Sequence, residues 1–392
     1  MKYKLVENTI GISEKKALIK LISEERQLTY SRNVKKLENK IAKYHKRKYC
    51  IMVNSGSSAN LLGISSAIYS KNININKNDE VIVPTLSWST TYAPLIQYGL
   101  KLRFVDIKIS TLNIDEDLIE KAITKKTKAI FCVNILGKCC NYDKIIKIAK
   151  KNSLYLFEDN CESFGSIHKN KISGTFGLFS SLSSYFSHHI NTIEGGYLLT
   201  DNFELYCNAL SIRSHGWIRE QPENSHLLKS KINNHLKQFR FFLPGYNLRP
   251  TEISATIGLI QLKKIDKFLK NRKNNAKFFY NLFRNENFIS QEYNKDDSFF
   301  GFTIIIKNKL YPNLLKIIKQ INLNKIETRP IISGNILKNK MLNYAQYSVY
   351  KNSKNADFIE NFGFMIGNRS TLFNKNEKEK LKKLFNILKS YS

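Results

Sequence analysis

Residues 51–60 read Ile-Met-Val-Asn-Ser-Gly-Ser-Ser-Ala-Asn. An apolar run, Ile51–Val53, passes into a turn of small polar residues, and the amphipathic stretch Ser58–Ser70 follows. The period of hydrophobicity changes here from strand-like to helix-like. Small side chains let the backbone approach an anion closely, and a helix N-terminus offers free N–H groups and a positive dipole end. The turn therefore suits a phosphate. It would serve equally as an ordinary strand–helix junction with a Ser cap.

Outward from this unit the alternation continues to about residue 200. Val81–Thr85, Leu102–Asp106, Ala129–Ile135 and Leu154–Glu158 read as buried strands, and Asp115–Ile123 and Asp143–Lys151 as helices. Strand–helix–strand alternation predicts an α/β fold with a mostly parallel sheet covered on both faces. In such sheets ligands bind at the carboxyl ends of the strands. A long helix is expected from Thr251, just after Pro250, to about Phe283. The remainder reads as a smaller α/β unit: strand Phe299–Ile306, helix Asn313–Ile321, strand Ile326–Ile331 and helix Lys375–Lys389. This gives two domains, 1–250 and 251–392.

Composition narrows the class. Hydrophobic residues make up 42% of the 392 and aromatics 12%, which excludes a disordered or fibrous chain. The net charge is +31, but Lys, Asn and Ile are spread along the whole chain. With no basic arm, zinc-finger spacing or RNP-like strand, this pattern argues against a nucleic-acid surface. No apolar run reaches the roughly 18–20 residues of a membrane span. Met1–Lys15 has no apolar leader core, and no Cys-x-x-Cys occurs, so a cytoplasmic protein without a structural metal is expected.

Two further strand ends carry chemistry. Phe157-Glu158-Asp159-Asn160-Cys161-Glu162 closes a strand with carboxylates. A buried Asp is costly unless something cationic pairs with it, and a solvated loop carboxylate is the plainer alternative. Ser183–Gly196 holds His188 and His189 between a Ser/aromatic run and Glu194-Gly195-Gly196. Adjacent His could be structural or half of a metal site, but no other ligand stands nearby at suitable spacing.

Ser-Gly-Ser-Ser-Ala (55–59), Glu-Asp (158–159), Gly-Thr-Phe-Gly (174–177), Glu-Gly-Gly (194–196) and Gly-Tyr-Asn-Leu-Arg-Pro (245–250) together resemble the DegT/StrS family of sugar aminotransferases, from about residue 30 onward. That resemblance implies a fold-type I transferase dependent on pyridoxal 5'-phosphate (PLP), cycling through pyridoxamine 5'-phosphate. It also implies a large seven-stranded-type sheet domain, a smaller C-terminal domain and a homodimer with a shared active site. Family members commonly carry a Lys six residues before the Glu of Glu-Gly-Gly. Here that position is His188, and imidazole has no primary amine with which to form the internal Schiff base. It can still move protons.

His in place of Lys resembles the family's 3-dehydratase branch, which acts on nucleotide-linked 4-keto-6-deoxy sugars in deoxysugar and O-antigen synthesis with L-glutamate as amine donor. The run Glu327–Asn335 looks especially like the branch members that act on GDP-linked sugars, a resemblance that implies GDP over CDP. The CDP branch holds an iron–sulfur cluster, but after Cys161 only Cys207 remains, too few thiolates for one. The resemblance implies that Gly56, Ser57 and Ser183 bind the cofactor phosphate and that Asp159 holds its pyridine nitrogen protonated. Glu162 falls near the ring oxygen, and Trp88 stacks on the ring face. Asn247 reaches the phosphate across the dimer interface. His188 is the expected base, His215 an assistant in proton transfer, and Arg329 an anion contact for glutamate or diphosphate. Ile193 stands where the family commonly has Gly. A nucleotide-sugar 4-aminotransferase and a non-catalytic family member are the alternative functions.

Overall fold

A computed structural model describes residues 2–24, 27–228, 236, 239–284, 287–307 and 314–391. Eight strands form one sheet in the order β1-β9-β8-β5-β4-β2-β3-β12. They are β1 (Tyr49–Val53), β2 (Glu80–Pro84), β3 (Lys101–Val105), β4 (Thr127–Val133), β5 (Tyr155–Asp159), β8 (Phe179–Ser183), β9 (Gly196–Thr200) and β12 (Tyr347–Val349). Only β9 runs against the rest. A two-stranded hairpin, β6 (Ile167–His168) with β7 (Lys171–Ile172), lies outside the sheet.

Helices provide the crossovers that parallel pairing demands. The helix expected over Asp115–Ile123 spans Glu116–Ala122, and the Asp115 carboxylate caps it by accepting from Asp117 N–H. The core between sheet and helices is aromatic and dense. Phe157 and Phe179 stack with centroids 4.6 Å apart, and Phe131 meets both edge-on.

The eighth strand departs from the seven-stranded expectation. It comes from the C-terminal half and adds β12 in parallel to the edge strand β3. The remaining C-terminal strands, β10 (Phe288–Ile289), β11 (Gly301–Ile306) and β13 (Gly363–Gly367), make a small antiparallel sheet. The long helix spans Glu252–Leu282, and Thr251 caps it by accepting from Ser254 N–H. The expected strand Ile326–Ile331 is not a strand. Ile326 bridges to Tyr3 and Arg329 to Met365, and Pro330 supplies no N–H to extend either ladder. The helix expected from Asn313 is described over Leu314–Leu323, with Asn313 itself outside the described residues.

Replacing Phe179 with Ala removes an aromatic partner from the centre of this core. A loss of roughly 3–5 kcal/mol is expected in urea unfolding of the cofactor-free protein. A loss below about 1 kcal/mol would contradict the packing described.

Candidate active site

A cleft of about 480 Å³ opens at the carboxyl ends of β1, β2, β5 and β8, within the usual 300–1,000 Å³ of a ligand site. It gathers Gly56, Ser57, Trp88, Asp159, Glu162, Ser183, His188 and Arg329 from the sequence-derived set. His215 and Asn247 are not among its lining residues. They lie on a separate strip, where Ser214 bridges to Asn247 and the His215 ring packs on Trp217 with centroids 4.9 Å apart.

The phosphate-suited turn takes the expected form. Ser55 caps the helix Gly56–Ile68 by accepting from Ser58 N–H at 3.0 Å, and the helix has no acidic residue in its first turn. Gly56 presses on the floor of the cleft. A Cβ there would lie 2.7 Å from Ser183 Cβ and 2.8 Å from Cys161 Sγ. Ser57 Oγ donates to Thr90 Oγ1 at 3.1 Å, which joins this turn to the helix Ser89–Gln97. Trp88 precedes that helix, 54% exposed over the cleft, with the Arg329 guanidinium 5.9 Å from its ring centroid.

Adjacent residues of a strand face opposite ways, and the two carboxylates that end β5 separate accordingly. Glu158 is buried and accepts from the N–H groups of Gly174, Phe176 and Gly177 at 2.9, 2.5 and 2.6 Å. It braces the Gly-Thr-Phe-Gly turn. Asp159 lines the cleft at 6% exposure. It accepts from Asn60 Nδ2 at 2.8 Å, Thr91 Oγ1 at 2.7 Å, Cys161 N–H at 3.2 Å and Ser181 Oγ at 3.4 Å. All four donors are neutral. A buried carboxylate held only by neutral donors is matched by a protonated pyridine nitrogen, so the donor set here fits PLP.

Glu162 accepts from Leu136 N–H at 3.0 Å. Burial pushes its carboxyl up to about 7, against the pull of that N–H and of Arg329, with Asp159 adding to the rise.

His188 sits on a loop that leaves β8 and re-enters β9, strands that pair with each other. The loop closes on itself. Ser184 N–H donates to Gly195 O at 2.9 Å, Thr192 N–H to Ser184 O at 2.8 Å, and the Ser184 and Thr192 hydroxyls bond at 2.6 Å. Ile193 takes a φ of +69°, strained for a β-branched residue and easy for the Gly it replaces. His188 Nδ1 lies 2.8 Å from the Cys161 carbonyl oxygen. A carbonyl can only accept, so Nδ1 carries the proton and Nε2 keeps its lone pair. Burial lowers the imidazole to about 4 against the pull of that carbonyl; Arg272 and Arg329 lower it further, while Asp159 opposes them.

The DegT/DnrJ/EryC1/StrS aminotransferase family matches residues 9–378. The chain belongs to this family. It is 44% identical over 374 residues to a GDP-4-keto-6-deoxy-D-mannose 3-dehydratase of Yersinia pseudotuberculosis, covering 95% of this chain and 94% of that one. The structure of the E. coli GDP-4-keto-6-deoxy-D-mannose-3-dehydratase with bound hydrated PLP superposes with a TM-score of 0.94 at 41% identity, over 98% of this chain and 99% of that one. A GDP-4-keto-6-deoxymannose-3-dehydratase with a trapped PLP-glutamate geminal diamine gives the same score and identity, over 98% and 100%. The fold is therefore fold-type I of the PLP-dependent enzymes. Among the described residues no group of three His, Cys, Asp or Glu could hold a metal ion, and no helix is long and apolar enough to cross a membrane.

Sequence reasoning missed Asn60, Thr91 and Phe300. Asn60 lies inside the opening motif and Thr91 three residues after Trp88, so proximity was the available signal. Phe300, which also lines the cleft, comes from the C-terminal half and carries no local signal.

Glu162 gives a pH test. A carboxyl raised from 4.5 to about 7 in the folded state binds extra protons there, so stability falls as pH rises across that window. Glu162→Gln removes the ionisation. The cofactor-free variant should match wild type in urea unfolding near pH 4 and exceed it by roughly 1–3 kcal/mol at pH 8. Equal stability at both pH values would show that Glu162 ionises freely.

Proposed function

We propose that this chain is a cytoplasmic, PLP-dependent 3-dehydratase of a GDP-linked 4-keto-6-deoxy sugar, with L-glutamate as amine donor, in deoxysugar and O-antigen synthesis. The observation that carries the reading is His188. It faces the PLP-suited cleft at the position where aminotransferases of the family place their Lys, with Nδ1 anchored and Nε2 free.

When bound, PLP supplies a ring that takes up an electron pair and, in its aminated form, an amine that condenses with the sugar ketone. The chain does the rest. Ser57, Ser183 and the N–H groups of the helix Gly56–Ile68 hold the phosphate. Asp159 would keep the pyridine nitrogen protonated, Trp88 would cover one ring face, and Glu162 would lie toward the ring oxygen. With the aminated group bound, His188 Nε2 would be the residue that takes a proton beside the amine nitrogen and returns it to the departing 3-hydroxyl, which would leave as water. The Arg329 fork is suited to the glutamate carboxylate or the nucleotide diphosphate. With no amine at position 188, nothing on the protein displaces the nitrogen-bearing sugar as an amino sugar. The deoxygenated sugar leaves, regains its ketone and gives up ammonia to water.

Asn247 and His215 lie outside the chain's own cleft, which supports a homodimer in which each copy completes the other's site. There Asn247 would reach the phosphate; His215 packs on Trp217 outside the cleft, and no step of the mechanism is assigned to it.

The test is a product assay with a panel of nucleotide 4-keto-6-deoxy sugars. GDP-linked substrate should lose its 3-hydroxyl without gaining nitrogen and should turn over faster than CDP-linked substrate. His188→Asn should retain the cofactor absorbance and lose about 10²–10⁴-fold in dehydration rate. His188→Lys should yield a nitrogen-containing sugar by mass. Undiminished dehydration by His188→Asn would remove the base from this mechanism.

A further inference from the structure

Beside the Cys161 carbonyl, two aromatic rings contact the His188 ring: Tyr185 of its own loop meets it edge-on at 6.2 Å. The other is the ring of Phe300, with centroids 5.0 Å apart and planes inclined by 38°. The same ring reaches His189 at 6.1 Å. Phe300 arrives on a constrained stretch of chain. Phe299, just before it, has a φ of +43°, a left-handed conformation that is costly for an aromatic residue. Phe300 N–H donates to Leu136 O at 2.9 Å. Gly137, next in that turn, has a φ of +95°, and a Cβ there would lie 2.5 Å from the Phe299 nitrogen. No other residue fits so close to that backbone.

Arg272, on the long helix Glu252–Leu282, stands behind this stretch at 4% exposure. Its Nη1 donates to the carbonyl oxygens of Phe299 and Phe300, both at 3.3 Å. Asn368 Nδ2 also donates to Phe299 O, at 2.8 Å. Among the described residues Arg272 Nε has no hydrogen-bond partner, and Glu7 is the one carboxylate that acts on the guanidinium as a counter-charge. A buried guanidinium without a carboxylate beside it is expensive. The cleft mechanism as derived so far gives it no task.

We propose that Arg272 and Phe300 are positioning residues for His188: the guanidinium pins the Phe299–Phe300 carbonyls, and the pinned ring holds the imidazole with Nε2 toward the substrate. The inference rests on His188 being the base. A cation behind an imidazole also opposes its protonation, in the same direction as the burial that dominates. The groups facing His188 agree in sum. Asp159, Glu162 and Cys161 reach it from the end of β5, Arg329 and Phe300 from the C-terminal half, and Arg272 from the long helix. Tyr185 and His189 stand on its own loop. Arg272 and Arg329 push its protonation down, and Asp159 alone of the carboxylates pulls it up.

The test is an NMR titration of the His188 imidazole in the full-length, cofactor-free protein, its signal assigned by its loss in His188→Asn. Arg272→Met should raise the imidazole pKa by about one unit, and Arg272→Lys should return it toward wild type. Phe300→Leu should abolish the ring-current shift on the His188 ring protons. In the reconstituted enzyme that variant should lower kcat about tenfold, with KM for the sugar within about twofold. An unmoved pKa in Arg272→Met overturns the role of Arg272. If that variant does not fold, Phe300→Leu decides: an unmoved ring-current shift with full kcat overturns the proposal. Full turnover by His188→Asn would instead overturn the reading of the base, whatever the titrations show.

Discussion

The site depends on a carboxylate buried without a cation. Asp159 ends a central strand at 6% exposure, and the fold surrounds it with neutral donors alone. Each donor comes from a different part of the cleft: Asn60 from the helix after β1, Thr91 from the helix behind Trp88, Ser181 from β8, and a backbone N–H from Cys161. One negative charge thereby ties the phosphate turn, the aromatic wall and the sheet together. The arrangement leaves the charge short of a positive partner, a need that a pyridinium would meet. Because the donors are shared among elements, the pocket that receives the ring is set by the same bonds that hold those elements in place.

Much of this was legible in the chain because the chemistry sits at strand ends. A strand end is a local event, marked by a change from period two to period 3.6 and by small or capping residues. The turn at 55–59 and the carboxylates at 158–162 announced themselves in this way, whereas the His pair at 188–189 stood out by its place between a Ser/aromatic run and Glu194-Gly195-Gly196. Pleat alternation even separates Glu158, which braces the turn Gly174–Gly177, from Asp159, which faces the cleft. Illegible features were those made by distant contacts. The strand Tyr347–Val349 pairs with Lys101–Val105 across most of the chain. Residues 326–331 look like a strand by composition, yet they hand their bridges from Tyr3 to Met365 and are cut short at Pro330. Phe300 packs on the His188 ring from the C-terminal half of the chain, and Arg272 on the long helix bonds the Phe300 carbonyl, so nothing in their sequence neighbourhoods marks them.

The electrostatics of the cleft also depend on burial more than on net charge. Glu162 is held toward its neutral form and His188 toward its free base, each by removal from water first and by neighbours second. A free-base imidazole and a carboxyl that still holds part of its proton near neutral pH thus stand in one cleft, a pairing that carboxylates and imidazoles in open water would not keep.

The loop that carries His188 is fastened through its own backbone and through the Ser184 and Thr192 hydroxyls, with no closing bond contributed by the 188 side chain. Closure of the loop therefore does not use the side chain at its tip, which instead ties the loop to the end of β5 through the Cys161 carbonyl. Chemistry can diverge within this architecture by exchange of a single head group, with the rest of the molecule serving as an unchanged tool holder.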